Sequence, residues 1–257
     1  MLNIGGLSYS YGTAPVLREV SLSAEAGQMI AILGANGAGK TTLFRCILGL
    51  LRGYTGRIEL DGREVRTLSP RQLAGLASYI PQSGAAFPGY SVLSLVEMGT
   101  ARQLSPLATP GETQRRGAWA ALEQVGMENF ALRRFDRLSG GEQQLVLIAR
   151  ALAQQSEILL MDEPTAHLDY GNSIHVLSQI RSLAKAGYLI LFSTHDPQLT
   201  LQFAHSVLAL SGGRIVALGP PKEVLTAALL NQLYGVRVRL LDTVAGRFIA
   251  PEQEDLT

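Results

Sequence analysis

Residues 34–41 read Gly34-Ala35-Asn36-Gly37-Ala38-Gly39-Lys40-Thr41, followed by Thr42. The spacing Gly-x-x-x-x-Gly-Lys-Thr is that of a phosphate-binding loop. Its setting agrees: the apolar run Met29-Ile30-Ala31-Ile32-Leu33 leads in as a strand, and Leu43-Phe44-Arg45-Cys46-Ile47-Leu48 leads out as a helix. Glycines let successive N–H groups turn toward phosphate oxygens without a Cβ in the way. The helix N-terminus adds a partial positive charge at the same point. Lys40 would bring a full charge to the β- and γ-phosphates of a nucleotide, and the Thr41 hydroxyl suits a Mg²⁺ ion. The alternative is a glycine-rich turn that binds nothing. It would not need a lysine and a threonine in register between a strand and a helix.

Three more groups able to act on a phosphate follow short apolar runs. Ala77-Ser78-Tyr79-Ile80 leads through Pro81 to Gln82, Ile158-Leu159-Leu160-Met161 leads to Asp162-Glu163, and Tyr188-Leu189-Ile190-Leu191-Phe192 leads through Ser193-Thr194 to His195. Runs this continuously apolar suit strands covered on both faces of a parallel sheet. Ligands of such sheets bind beyond the carboxyl ends of the strands. Four strands would therefore deliver Lys40, Gln82, Asp162 with Glu163, and His195 to one edge.

The fold class that follows is α/β, a phosphate-loop core with a mostly parallel sheet. The first 28 residues and the stretch from about Tyr54 to Leu60 read as an antiparallel layer beside it, with Tyr9, Tyr11, Val16 and Leu17 in place. From about Ser83 to Arg137 no strand is evident. Helical stretches over Ser91–Met98 and Gln114–Val125, broken by Pro88, Pro106 and Pro110, predict an inserted helical subdomain. Leu104–Glu112 reads as a surface connection. Val207–Leu210 and Arg214–Ala217 flank Ser211-Gly212-Gly213 as a hairpin, and a helix is predicted over about Lys222–Tyr234. The expected division is a main domain over 1–235 and a hairpin-like extension over 236–257. In that extension Val236–Leu240 alternates as a strand, and 251–257 form a frayed acidic tail.

The chain has 257 residues, enough for one or two domains with a large core, and a net charge of +1 without a basic run, which gives no reason to expect nucleic acid. Its one cysteine, Cys46, permits no intrachain disulfide and reads as a small buried apolar residue. The N-terminus lacks the pattern of a signal peptide, and no apolar stretch approaches the ~18 residues of a spanning helix. If the protein serves a membrane, another chain must cross it.

A second glycine pair stands in Leu138-Ser139-Gly140-Gly141-Glu142-Gln143, ahead of a helix predicted over Gln144–Ala153. A capping box, Ser139 with Glu142, explains the serine and the acid. It leaves the glycines unexplained, since each costs a helix roughly 1 kcal/mol relative to alanine. A glycine-rich helix start is also an anion site.

With these motifs in order, the sequence resembles the ATP-binding-cassette ATPases over essentially its whole length. In that family two cassettes meet head to tail. Each nucleotide lies between the phosphate loop of one and the signature of the other, here Ser139, Gly140, Gly141 and Glu142. The resemblance implies ATP and Mg²⁺ as cofactors. It also gives each residue a role. Tyr11 would stack on adenine. Gly34, Asn36, Gly37, Ala38, Gly39, Lys40, Thr41 and Thr42 would bind the nucleotide, and Thr41, Gln82 and Asp162 would serve the Mg²⁺. Glu163 would be the general base, with Gln82 and His195 completing the catalytic set. Asp169, in Ala166-His167-Leu168-Asp169, would sit at the dimer interface. His167, His175 and His205 are expected to be structural or on the surface.

The family usually powers membrane transporters. Phe87-Pro88-Gly89-Tyr90-Ser91-Val92, Val96-Glu97-Met98-Gly99, Tyr234–Val238 and Gly246-Arg247 are similar to cassettes importing iron–siderophore, haem or cobalamin. Thr100-Ala101-Arg102 departs from that group, where an Arg directly after the glycine and a nearby His are expected. The implied partners are a second nucleotide-binding subunit, with a homodimer expected, a polytopic permease and, indirectly, an extracytoplasmic binding protein. The implied location is peripheral, on the cytoplasmic face of the plasma membrane. A soluble cassette that remodels a protein complex and an exporter cassette are the alternatives. Long coiled coils or a second cassette would mark the DNA-organising and translation relatives, and the sequence has neither.

Overall fold

The computed structural model of the chain describes residues 1–82, 87–104, 109–244 and 246–252. Its central sheet has six strands, in the order Arg214–Gly219, Ser206–Ser211, Met29–Leu33, Leu189–Thr194, Ile158–Met161, Ala77–Ile80. All neighbours are parallel except Arg214–Gly219, which runs antiparallel at the edge. Met29–Leu33 and Ile158–Met161 are buried at every position. That follows from cover on both faces, and it is why the runs read as unbroken apolar sequence.

One face of the sheet, with Ile30 and Ile32, packs on the helix Lys40–Ile47 and beneath an antiparallel sheet ordered Ala14–Ala24, Leu2–Tyr11, Thr55–Leu60, Arg63–Glu64. Leu43, Phe44 and Ile47 of that helix are fully buried there. Each contributes about 2 kcal/mol through area removed from water. Cys46 belongs to the same core, and burial pushes its thiol up to about 12, so it packs as an apolar residue. The opposite face, with Met29 and Ala31, is covered by the helices Gly140–Ala153 and Tyr170–Lys185 and by the inserted helices Val92–Glu97 and Glu112–Gln124. Ser91 caps the first inserted helix and forms a β-bridge with Arg134, which pins the insertion to the segment before the second glycine pair.

Several boundaries differ from the sequence reading. The helix predicted over 222–234 is two helices, Pro221–Val224 and Ala227–Tyr234. Thr226 adopts extended backbone and its hydroxyl accepts from Leu229 N at 3.1 Å, so it starts a new helix. The helix predicted from Gln144 begins at Gly140. The strand predicted over 236–240 spans Val238–Thr243 and pairs with Gly246–Pro251. Most of the acidic tail, and residues 105–108 of the predicted surface connection, lie outside the described residues. Among the described residues no helix is long and apolar enough to cross a membrane.

Candidate nucleotide site

The register of the parallel strands brings the predicted groups together. Leu33 pairs with Thr194, Met161 with Phe192 and Ile80 with Met161, so the residues that follow each strand emerge side by side. Residues 36–42 with Gln82, Asp162 and Glu163 line a cavity of about 390 Å³. Gln82 and Glu163 also line a second cavity of about 440 Å³, with residues 165–168, Thr194 and His195. These two side chains form the wall between the cavities.

Gly39 closes the loop at φ 107°, a left-handed conformation that side chains rarely adopt, and hands the chain to the helix at Lys40. Lys40 is only 6 % exposed. Its Nζ donates to Gly34 O at 2.7 Å and Ala35 O at 3.3 Å, and lies 4.0 Å from Glu163 Oε1. Burial lowers its proton affinity, while the charges of Glu163 and Asp162 oppose that effect.

Asp162 is buried and takes three hydroxyl donors. Thr41 Oγ1 donates to its Oδ2 at 2.8 Å, Tyr79 OH to the same oxygen at 3.1 Å, and Ser193 Oγ to Oδ1 at 2.5 Å. Ser193 Oγ in turn accepts from Glu163 N at 2.9 Å. Glu163 has φ 48°, a strained conformation for a residue with a Cβ. Its Oε2 accepts from Gln82 Nε2 at 3.2 Å and lies 3.6 Å from His195 Nδ1. Gln82, Lys40 and His195, from three different strand ends, thus converge on one carboxylate. Tyr79 and Ser193 were not singled out from the sequence. Their signal was polar residues inside otherwise apolar strands.

Ser139 caps Gly140–Ala153 in a capping box: its N–H donates to Glu142 Oε2 at 2.7 Å and its Oγ accepts from Glu142 N at 3.4 Å. The box anticipated from the sequence is therefore present. The glycines also have a packing reason that the sequence did not reveal. A Cβ on Gly141 would lie 2.7 Å from Asn172 Oδ1, and one on Gly140 3.0 Å from Leu168 Cδ2. Asp169 caps Tyr170–Lys185, accepting from Asn172 N at 2.8 Å and Asn172 Nδ2 at 2.7 Å, and these bonds hold its carboxyl below the usual range. Residues 139–142 line neither cavity of their own chain. Tyr11 stands outside both as well, 44 % exposed and edge-on to Tyr9 at 5.0 Å. His205, expected to be structural or on the surface, accepts from Met29 N at 3.1 Å through Nδ1.

Residues 17–166 match the ABC transporter family, and the chain is 37% identical over 248 residues to the hemin import ATP-binding protein HmuV of Roseobacter denitrificans, covering 93% of this chain and 92% of that one. The chain belongs to the ABC transporter family. The cassette is also similar to solved structures. An inward-facing ABC transporter described as of metal-chelate type aligns at TM-score 0.86 and 29% identity, covering 100% of this chain and 99% of the other. The dimeric bacterial ABC transporter cassette MJ0796 aligns at TM-score 0.73 and 26% identity, covering 86% and 99%. The fold that the sequence predicted, a phosphate-loop α/β core with an antiparallel layer and helices, is the fold of this cassette family.

Proposed function

We propose that this chain is the ATP-hydrolysing subunit of an importer for an iron chelate or haem. The convergence of Lys40, Gln82 and His195 on Glu163, beside the phosphate loop, carries the enzymatic part of this reading. The names of the similar proteins, hemin import and metal-chelate type, support the cargo class.

The phosphate loop and Lys40 would cradle the β- and γ-phosphates. On binding, Lys40 would exchange its bonds to Gly34 O and Ala35 O for phosphate oxygens. Glu163 would accept a proton from water as its oxygen attacks the γ-phosphorus, while the bond to the β–γ bridging oxygen breaks and ADP leaves with that oxygen. Gln82 would orient the water and His195 would contact the γ-phosphate. Tyr11 would stack on adenine.

Thr41 and Asp162 offer a hydroxyl and a carboxylate at 2.8 Å, a hard-oxygen pair that fits Mg²⁺, which takes one or two protein oxygens and fills the rest with phosphate and water. Mg²⁺ would neutralise charge on the β- and γ-phosphates. Ser139, Gly140, Gly141 and Glu142 would serve the nucleotide held by a second copy of the chain, with Asp169 at that interface. The dimeric MJ0796 cassette supports this arrangement. A permease would provide the membrane path, with the cassette on its cytoplasmic side.

The test is reconstitution with a polytopic permease that copurifies with this chain and with a binding protein for the chelate. Haem or a ferric chelate is expected to stimulate ATP turnover. Turnover indifferent to every chelate, with stimulation by an unrelated solute, would contradict the cargo class.

A further inference from the structure

Asp162 has a hydrogen-bonding shell larger than its proposed role needs. Thr41 and Tyr79 share its Oδ2, at 2.8 and 3.1 Å, and Ser193 donates to Oδ1 at 2.5 Å. Thr41 is the hydroxyl expected to turn toward a metal ion, and when it does Oδ2 loses one of its two donors. Among the described residues, Tyr79 is then the donor still fixing that oxygen. It is well placed to do so. Its ring packs edge-on to the buried Phe44, with centroids 6.4 Å apart, which holds the hydroxyl in place beside Asp162.

Ser193 acts on both acids. Its hydroxyl donates to Asp162 and accepts from the N–H of Glu163, whose backbone is the strained one. Ser193 is completely buried, on the strand next to Ile158–Met161, so bulk water does not compete for its hydrogen bonds. A hydroxyl at this point locks the carboxylate of one acid to the backbone of the next.

We propose that Tyr79 and Ser193 are positioning residues for the metal-dependent part of nucleotide binding. They hold the Asp162 carboxylate in one orientation, and Ser193 also fixes the backbone from which Glu163 projects. This rests on the reading of Asp162 as a partner of Mg²⁺. Groups hydrogen-bonded to metal-binding carboxylates typically change metal affinity by 10–100-fold when removed.

The test measures the Kd of a fluorescent ATP analogue in EDTA and across a Mg²⁺ titration, for wild type, Tyr79→Phe, Ser193→Ala and Asp162→Asn. A general folding defect lowers affinity in EDTA and in Mg²⁺ together. The proposal expects the Mg²⁺ midpoint to rise about tenfold in Tyr79→Phe and in Ser193→Ala while the affinity in EDTA supplies the reference. Ser193→Ala is also expected to lower kcat at saturating Mg²⁺, because Glu163 loses its backbone tether. Should Ser193→Ala fail to fold, Tyr79→Phe decides, since it keeps the ring and removes one oxygen. A wild-type Mg²⁺ midpoint in Tyr79→Phe, with Asp162→Asn shifted, overturns this proposal and leaves the parent reading standing. An unshifted midpoint in Asp162→Asn overturns both.

Discussion

The side-chain oxygen of Asn172 lies 2.7 Å from where a Cβ on Gly141 would stand, closer than a carbon and an oxygen pack. Asn172 cannot swing away freely, because Asp169 grips its N–H and its amide. The first turn of Tyr170–Lys185 is thereby wedged against the first turn of Gly140–Ala153, and the glycine allows that closeness.

Gly141→Ala follows from this contact. Alanine favours a helix over glycine by about 1 kcal/mol. Overpacking against a held side chain costs about 1–3 kcal/mol. The melting temperature is expected to fall, and adding Asn172→Ala is expected to recover most of the loss. A Gly141→Ala chain more stable than wild type would show that the wedge is not tight.

Glu163→Gln is expected to keep the fold and the ability to bind ATP, since the amide fits the same space. General-base removal typically costs 10²–10⁴-fold, so steady-state turnover is expected to drop at least a hundredfold. With hydrolysis blocked, ATP should hold two copies together, visible as a dimer by size exclusion. Turnover near wild type would remove Glu163 from its role.

His205 gives a pH signature. Its Nδ1 accepts from Met29 N, a bond that only the unprotonated nitrogen can make. Burial, followed by the charges of Arg181 and Lys185, lowers its proton affinity below the ordinary 6.5. Between the folded pKa and 6.5 the unfolded chain binds more protons than the folded one. Stability is therefore expected to fall as pH drops through that interval and to be unaffected by this group above it. The ring is partly open to solvent, so the effect is small. Urea midpoints at pH 7.5 and 5.5, compared between wild type and His205→Asn, measure it, and an equal pH dependence in both removes the assignment.

Much of this architecture was legible because the central strands are buried on both faces. Met29–Leu33, Ile158–Met161 and Leu189–Phe192 advertise themselves as apolar runs, and the Gly34 loop, Asp162 and Ser193-Thr194-His195 that follow them mark the sheet edge. Ser139 and Glu142 likewise announce a cap by spacing alone. Other features depend on what meets across the fold. Thr226 looks like a helix interior residue until its hydroxyl is seen capping Leu229. Tyr79 and Ser193 acquire their place only through the register of three parallel strands. The close fit of Gly141 depends on Asn172, a residue of another helix. Tyr11 was expected beside adenine, and its placement outside the cavity lining leaves that role as a proposal.

In the proposed arrangement each nucleotide lies between two copies of the chain. The most direct measurement is ATP turnover per subunit over a dilution series that spans dimer to monomer, followed in parallel by light scattering. Turnover per subunit is expected to fall toward zero as the monomer takes over. A rate per subunit that stays constant into the monomeric range would contradict it.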